Sequence, residues 1–330
     1  MGGSRKALAE EFFAVPLATL LANTIPDFAL YLAKPGYGHV LYRQEGSELS
    51  HEHLQRLRLN HIDRIYIHAE DRAKQQRYMV TSARNIMVDP GRPSSEKAEM
   101  IYEFSKSAVQ YALEEPREES VAVCRDLALE HVRYVVTDPQ AMPNLLRIIS
   151  YDYYTYTHSV NVCSFTVALC RRTGLFDLEQ LKTIGVGAML HDIGKSRIDH
   201  KILNKPGALT PAERAEIQRH PEYGVEVLNE TSPVSPEAVE LVLGHHEKCD
   251  GSGYPRGLTA EDTPLPVRAC CIADIFDALT THRSYKSAYA GFKALLMMQH
   301  DMHGQVDQDL LADLIRLVGR ASQGISHQAA

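Results

Sequence analysis

Asp274 is the residue that most restricts how this chain can fold. It lies in Val267-Arg-Ala-Cys-Cys-Ile-Ala-Asp-Ile-Phe-Asp-Ala-Leu, a largely apolar segment of helical character. A lone carboxylate buried on such a helix costs several kcal/mol unless a cation or hydrogen-bond donors meet it. The fold must bring those partners from elsewhere in the chain.

Histidines at helix ends are the candidates. His158 opens a helix whose Val162, Phe165 and Leu169 follow at four, seven and eleven residues, so it shares the buried face. His191 follows Ile184 and Ala188 at seven and three residues, again facing inward, and Asp192 is its neighbour. Thr210-Pro-Ala-Glu is a capping box with Pro at the first helical position, and predicts a helix that presents His220 just before a helix-stopping Pro221. Ser235-Pro236 starts another helix, in which Val239, Val242 and Leu243 lead to His245-His246.

One histidine on an apolar helix is more often a hydrogen-bonded core residue than a ligand. The ordered set of His158, His191-Asp192, His220, His245-His246 and Asp274 is far more specific. Neutral imidazole is a common transition-metal ligand, and a carboxylate can bridge two ions while lowering the charge of the site. Five histidines and two carboxylates suit two divalent ions held close together with a bridging hydroxide, iron ahead of manganese. Zinc is less favoured, because no cysteine lies at a ligand position. Lys195, three residues after Asp192, fits a phosphate substrate beside such ions.

The rest of the chain reads as two further parts. Residues 1–88 look like a small α/β domain. Runs from Phe28, His39 and Arg64 suggest strands, Lys34-Pro-Gly-Tyr-Gly a turn, and Ser50 the N-cap of a helix from His51. His39, His51, His53, His61 and His68 occupy unrelated elements there without a paired carboxylate, and read as solvated surface. Asp89-Pro-Gly-Arg-Pro-Ser-Ser is a natural break, and residues 89–139 read as linker helices that connect the modules. From residue 140 to about 325 nearly everything reads as helix, so the chemistry-bearing domain is expected to be all-α.

Composition narrows the partners. A formal charge of -7 argues against a general binder of nucleic-acid polymers, so an anionic substrate needs local cations. No apolar run approaches a membrane span and no signal-peptide core is visible, which predicts a cytoplasmic protein. The six cysteines show no Cys-x-x-Cys spacing and read as reduced core residues.

Several segments resemble, in register, the HD-GYP family of bacterial cyclic di-GMP phosphodiesterases, a branch of the HD superfamily. They are His158-Ser-Val-Asn-Val, His191-Asp-Ile-Gly-Lys, Lys201-Ile-Leu-Asn-Lys-Pro-Gly-Ala-Leu-Thr, His220-Pro-Glu-Tyr-Gly, His245-His-Glu, Asp250-Gly-Ser-Gly-Tyr-Pro-Arg-Gly-Leu and Ala273-Asp-Ile-Phe-Asp-Ala-Leu-Thr. The similarity runs over roughly residues 145–290 and includes the Gly253-Tyr254-Pro255 tripeptide that names the family. It implies an HD-type helical bundle in which His158, His191, Asp192, His220, His245, His246 and Asp274 hold two divalent metal ions. It implies that Lys195 touches the scissile phosphate, with Asp192 beside it in the catalytic centre, and that Arg283 and Lys286 hold substrate phosphates and guanine. Tyr254 and Arg256, on the loop after His245-His246, are expected to stack on or hydrogen-bond the substrate and to meet a phosphate.

Family members with a third ion are expected to carry a carboxylate four residues before the first histidine, where this chain has Tyr154. Two ions are therefore expected, although Asp152 lies two residues away from that position. The implied reaction is attack of the bridging hydroxide on a phosphodiester of cyclic di-GMP, with pGpG the first product and GMP left open. Two alternatives stand beside it: an HD phosphohydrolase for another nucleotide or hybrid cyclic dinucleotide, and a weakly catalytic signalling module. Protein partners through the Gly-Tyr-Pro loop or the N-terminal domain, and a homodimer, belong to the same expectation.

Overall fold

The computed structural model describes residues 11–149, 156–231, 234–281 and 291–328, and divides into units at Arg92 and Pro93. Among the described residues no helix is long and apolar enough to cross a membrane.

The first unit is a four-stranded antiparallel sheet with two helices. Strands β1 (Phe12–Pro16), β2 (Leu30–Lys34), β3 (Gly38–Arg43) and β4 (Arg64–His68) lie in the order β1-β4-β2-β3. The register pairs Phe12 with His68 and Tyr31 with Tyr66. One face carries the buried Phe13, Val15, Leu30, Ile65 and Ile67, as period-two alternation requires of a half-covered sheet. Helix α1 (His51–Leu59) starts at Ser50, whose side chain accepts from His53 N at 3.4 Å. Helix α2 (Arg72–Val88) follows β4 and buries Met79, Ala83 and Ile86.

The second unit is helical. It begins with α3 (Ser94–Glu114) and α4 (Glu118–Thr137), the stretch read from sequence as connecting helices, and these pack on each other and on helices of the same unit. Next come α5 (Ala141–Ile149), α6 (Thr157–Thr173) and α7 (Leu178–Leu190), a 3-10 turn over Ile193–Arg197, and the single turn α8 (His200–Leu203). Then follow α9 (Pro211–Ile217), α10 (His220–Thr231), α11 (Pro236–Gly244), α12 (Leu265–Thr280), α13 (Gly291–Asp301) and α14 (Gln308–Gln328). Helix α6 packs between α12 and α7, α4 and α11 lie on α7, and the 3-10 turn lies against α10. Tyr102, Phe104, Leu127, Tyr134 and Phe165 form part of a fully buried core. Five of the cysteines are buried, Cys249 is half-buried, and all six are free thiols.

One helix boundary differs from the sequence reading. Thr210 does form its capping box with Glu213, but that helix ends at Ile217 and His220 opens a new one with Pro221 behind it. Proline lacks an N–H and suits a first helical turn, where that N–H has no partner to lose. Pro221 therefore starts α10 rather than stopping α9.

Candidate metal centre

Three histidines share one local device. His191 and His245 lie just past the ends of α7 and α11, and His220 begins α10. Each directs Nδ1 to the carbonyl three residues earlier: His191 to Ala188 O at 2.8 Å, His220 to Ile217 O at 2.7 Å, and His245 to Val242 O at 2.8 Å. A carbonyl only accepts, so Nδ1 carries the hydrogen and Nε2 presents a bare lone pair. His158, on the first turn of α6, donates Nδ1–H to Asp277 Oδ2 at 2.6 Å, which turns its Nε2 toward the cluster.

These lone pairs converge. His220 Nε2 and His245 Nε2 stand 3.0 Å apart. Two bare nitrogens at that distance repel unless a proton or metal ion lies between them. His158 Nε2 stands 3.0 Å from Asp274 Oδ1 and 3.8 Å from Asp192 Oδ2, and His246 Nδ1 is 3.4 Å from Asp274 Oδ2. Asp192 Oδ2 lies 3.4 Å from His191 Nε2, and its Oδ1 lies 3.3 Å from His220 Nε2. His158 Nε2 and Asp192 Oδ1 are buried without a hydrogen-bond partner.

The donors fall into two groups, His158 with His191 and Asp192, and His220 with His245 and His246; within each, the donor atoms lie within 4.8 Å of one another. Asp274 touches a member of each group.

Burial sets the charge states. It lowers His220 to about 3 and His246 to about 4, and holds His245 well below the ordinary histidine value, so all three are neutral at pH 7. Burial also opposes charge on Asp192, yet Lys195, His191 and His220 more than offset it and keep the carboxyl ionised. Asp274 is ionised for the same reason, with His158 and His246 offsetting its burial. Burial disfavours a charged His158 too, but its contacts with Asp274 and Asp277 raise it to about 10. A cation is what this pocket calls for, and bare imidazoles with two carboxylates are the donor set of a divalent transition-metal ion.

The mouth is built by Lys195 and the loop after His246. Lys195 Nζ donates to Asp192 Oδ2 at 2.6 Å, and about a third of its side chain is exposed. Tyr254 stacks on the His246 ring, with centroids 4.6 Å apart at 28°. Arg256 is not brought to the centre: it pairs with Glu240 on α11, through Nη1 at 3.1 Å and Nη2 at 2.5 Å. Arg283, Lys286, Tyr154 and Asp152 lie outside the described residues.

Two supporting residues are not singled out by the sequence reading. Asp277 is fully buried behind His158, one turn after Asp274 on α12. Glu247, also buried, accepts from Arg256 N at 2.8 Å and Leu258 N at 2.9 Å, and so ties the far side of the tyrosine loop back to its start. A second acidic residue three positions after Asp274, and a Glu directly after the paired histidines, were the available signals.

Comparison with known proteins places this geometry. Residues 144–310 match the HD domain family. A cyclic di-GMP phosphodiesterase from Pseudomonas aeruginosa is 38% identical over 194 residues, which cover 59% of this chain and 46% of that protein. A 3′3′-cGAMP-specific phosphodiesterase from Vibrio cholerae is 38% identical over 161 residues, 49% of this chain and 35% of that protein. The chain thus matches less than half the length of these two relatives. In fold, it is similar to the solved HDG"Y"P protein of Bdellovibrio bacteriovorus, with a TM-score of 0.69 at 21% identity over 93% of this chain and all of that one. With the family match extending over half of its length and containing every residue of the histidine and aspartate cluster, the chain belongs to the HD domain family.

Proposed function

We propose that this protein is a metal-dependent phosphodiesterase that hydrolyses cyclic di-GMP to pGpG. The observation that carries the reading is the pair of donor groups, spanned by Asp274, with the Lys195 ammonium beside Asp192 at their mouth. His158, His191, Asp192, His220, His245, His246 and Asp274 would hold two divalent ions, with iron preferred over manganese because imidazoles outnumber carboxylates among the donors. Bound there, the ions supply Lewis acidity toward a phosphoryl oxygen and activate water as the nucleophile.

The chain's own residues do the rest. Lys195, part exposed and poised on Asp192, takes up the charge that builds on the phosphoryl oxygens. Tyr254, held against His246, offers a flat face for a base and closes one side of the mouth. Arg256, tied to Glu240, acts as an anchor of the loop in this reading, while Arg283 and Lys286 supply the second phosphate and guanine contacts. The first unit, residues 1–88 in the sequence reading, serves as a regulatory domain, and the protein works in the cytoplasm.

Relatives named for cyclic di-GMP and for 3′3′-cGAMP make the hybrid dinucleotide the second substrate to test. Protein purified without oxygen, with its metal counted, is offered each dinucleotide. Conversion of cyclic di-GMP to pGpG with about two ions per chain, both lost in His191→Ala/Asp192→Ala, is the expected result. Full metal content with turnover of cGAMP alone would reassign the substrate, and full metal content without any turnover would favour a signalling module.

A further inference from the structure

The candidate ligands differ in what stands behind them. The Nδ1 groups of His191, His220 and His245 meet neutral backbone carbonyls. That of His158 meets the fully buried carboxylate of Asp277 at 2.6 Å. Asp277 is in turn held on every side. Its Oδ1 accepts from Asn161 Nδ2 at 2.8 Å, and its Oδ2 also accepts from Thr281 Oγ1 at 3.2 Å. Asn161 Oδ1 accepts from the Tyr102 hydroxyl at 2.8 Å, and Tyr102 is fully buried on α3.

This chain of hydrogen bonds crosses three helices. It starts on α3, runs through α6, and ends on α12 behind the first histidine of the cluster. Among the described residues no Lys or Arg forms an ion pair with Asp277, and the ionisable side chain its carboxylate meets is that of His158. A carboxylate behind a ligating imidazole fixes the ring and raises its basicity, and losing one typically weakens metal binding about 10–100-fold. A neutral carbonyl orients the ring but adds less charge.

We propose that Asp277, aligned by Asn161 and Tyr102, is a positioning residue that makes the pocket of His158, His191 and Asp192 the tighter of two unequal metal pockets. Helix α3 is thereby part of the metal centre, although no ligand lies on it. The inference rests on the metal-centre reading but not on the identity of the substrate.

The test is a Mn2+ titration of the full-length chain, stripped of metal, with free Mn2+ followed by electron paramagnetic resonance and folding followed by thermal melting. The wild-type chain should bind two ions with distinct affinities. Asp277→Asn should weaken the tighter class about 10–100-fold and leave the other in place. Tyr102→Phe, which keeps the ring and removes only the hydroxyl, should shift the same class in the same direction by less. His131→Gln alters another buried hydrogen-bonded side chain, on α4 between Ser105 of α3 and Ser164 of α6, and should leave both classes unchanged.

Folded Asp277→Asn protein whose two classes stay as in wild type, or weaken equally, overturns the proposal. If that variant does not fold, Tyr102→Phe decides it, and unchanged Mn2+ affinity there overturns it. A wild-type chain that binds no Mn2+ removes the metal centre and this inference together. Failure to hydrolyse cyclic di-GMP, measured in parallel, removes the substrate reading while leaving the Mn2+ profile to stand on its own.

Discussion

His131 is a buried imidazole on α4 that takes no part in the histidine cluster. Its ring lies between Ser105 Oγ at 3.3 Å and Ser164 Oγ at 2.8 Å, and burial lowers its pKa to about 4. In the unfolded chain a histidine titrates near 6.5. Between pH 6.5 and 4 the unfolded state therefore binds a proton that the folded state refuses, and stability falls as the pH drops through that window. At pH 5 the loss from this one group is about 2 kcal/mol relative to neutral pH. His131→Gln lacks the titrating ring, so its urea midpoint should fall less than that of wild type between pH 7 and pH 5. Equal falls in the two proteins would mean that His131 opens to solvent.

The same scale shows what could be read in advance. The cluster histidines and Asp274 stand out because each is a polar residue on the inward face of an apolar helix. Asp277 and Glu247 are equally buried and equally polar but are not singled out by the sequence. Asp277's partners His158 and Asn161 lie 119 and 116 residues away, and Glu247 is satisfied by backbone amides that only exist once the loop has folded. Partners of that kind leave no periodic trace. Glu247→Gln keeps one oxygen acceptor where two amides now bond, and loses the charge. A cost of about 1–3 kcal/mol in stability is expected, read from thermal melting, together with a loosened Tyr254 and lower turnover.

Among elements, the 3-10 turn that follows α7 lies tight against α10. A methyl on Gly194 would come within 2.0 Å of His220 O and 2.4 Å of Gly224 N, both backbone atoms that cannot step aside. Gly253 in the tyrosine loop is similarly crowded, by Lys248 N at 2.4 Å and His246 O at 2.5 Å. Gly194→Ala should push α10, and His220 with it, away from Asp192. Overpacking of this order costs about 1–3 kcal/mol, and the expected readout is a lower melting temperature with fewer bound ions. Element starts were the most legible part of the chain: the caps at Ser50, Thr210 and Ser235 all hold their helices, because a cap is a contact between near neighbours. Strand β1 is not legible in the sequence, since Phe12–Pro16 is short and becomes a strand only by pairing with β4, more than forty residues on.

At the scale of the molecule, the unit boundary at Arg92 and Pro93 makes a prediction about truncation. A chain beginning at Pro93 should fold and bind metal. One beginning at residue 140 should not, because it lacks α3 and α4, which pack on α6 and α7, and loses Tyr102. Circular dichroism and metal content of the two fragments check this, and a folded, metal-bearing shorter fragment would make α3 and α4 dispensable connectors. That all-helical character was evident from residue 140 onward, whereas the allegiance of α3 and α4 was not. An amphipathic helix shows that it has a partner without showing which.

The span of the cluster also has a consequence for how the protein is made. Asp274, which is in contact with both donor groups, lies 116 positions after His158 and is followed one turn later by Asp277, which backs His158. Synthesis runs from the N-terminus, and domains fold as their residues emerge. Between the emergence of His220 and that of Asp274 the growing chain displays His158, His191 and His220 with neither carboxylate of α12 available. A centre of full strength exists only after that helix has emerged and docked. Full metal binding is then expected only of a chain that extends through α12.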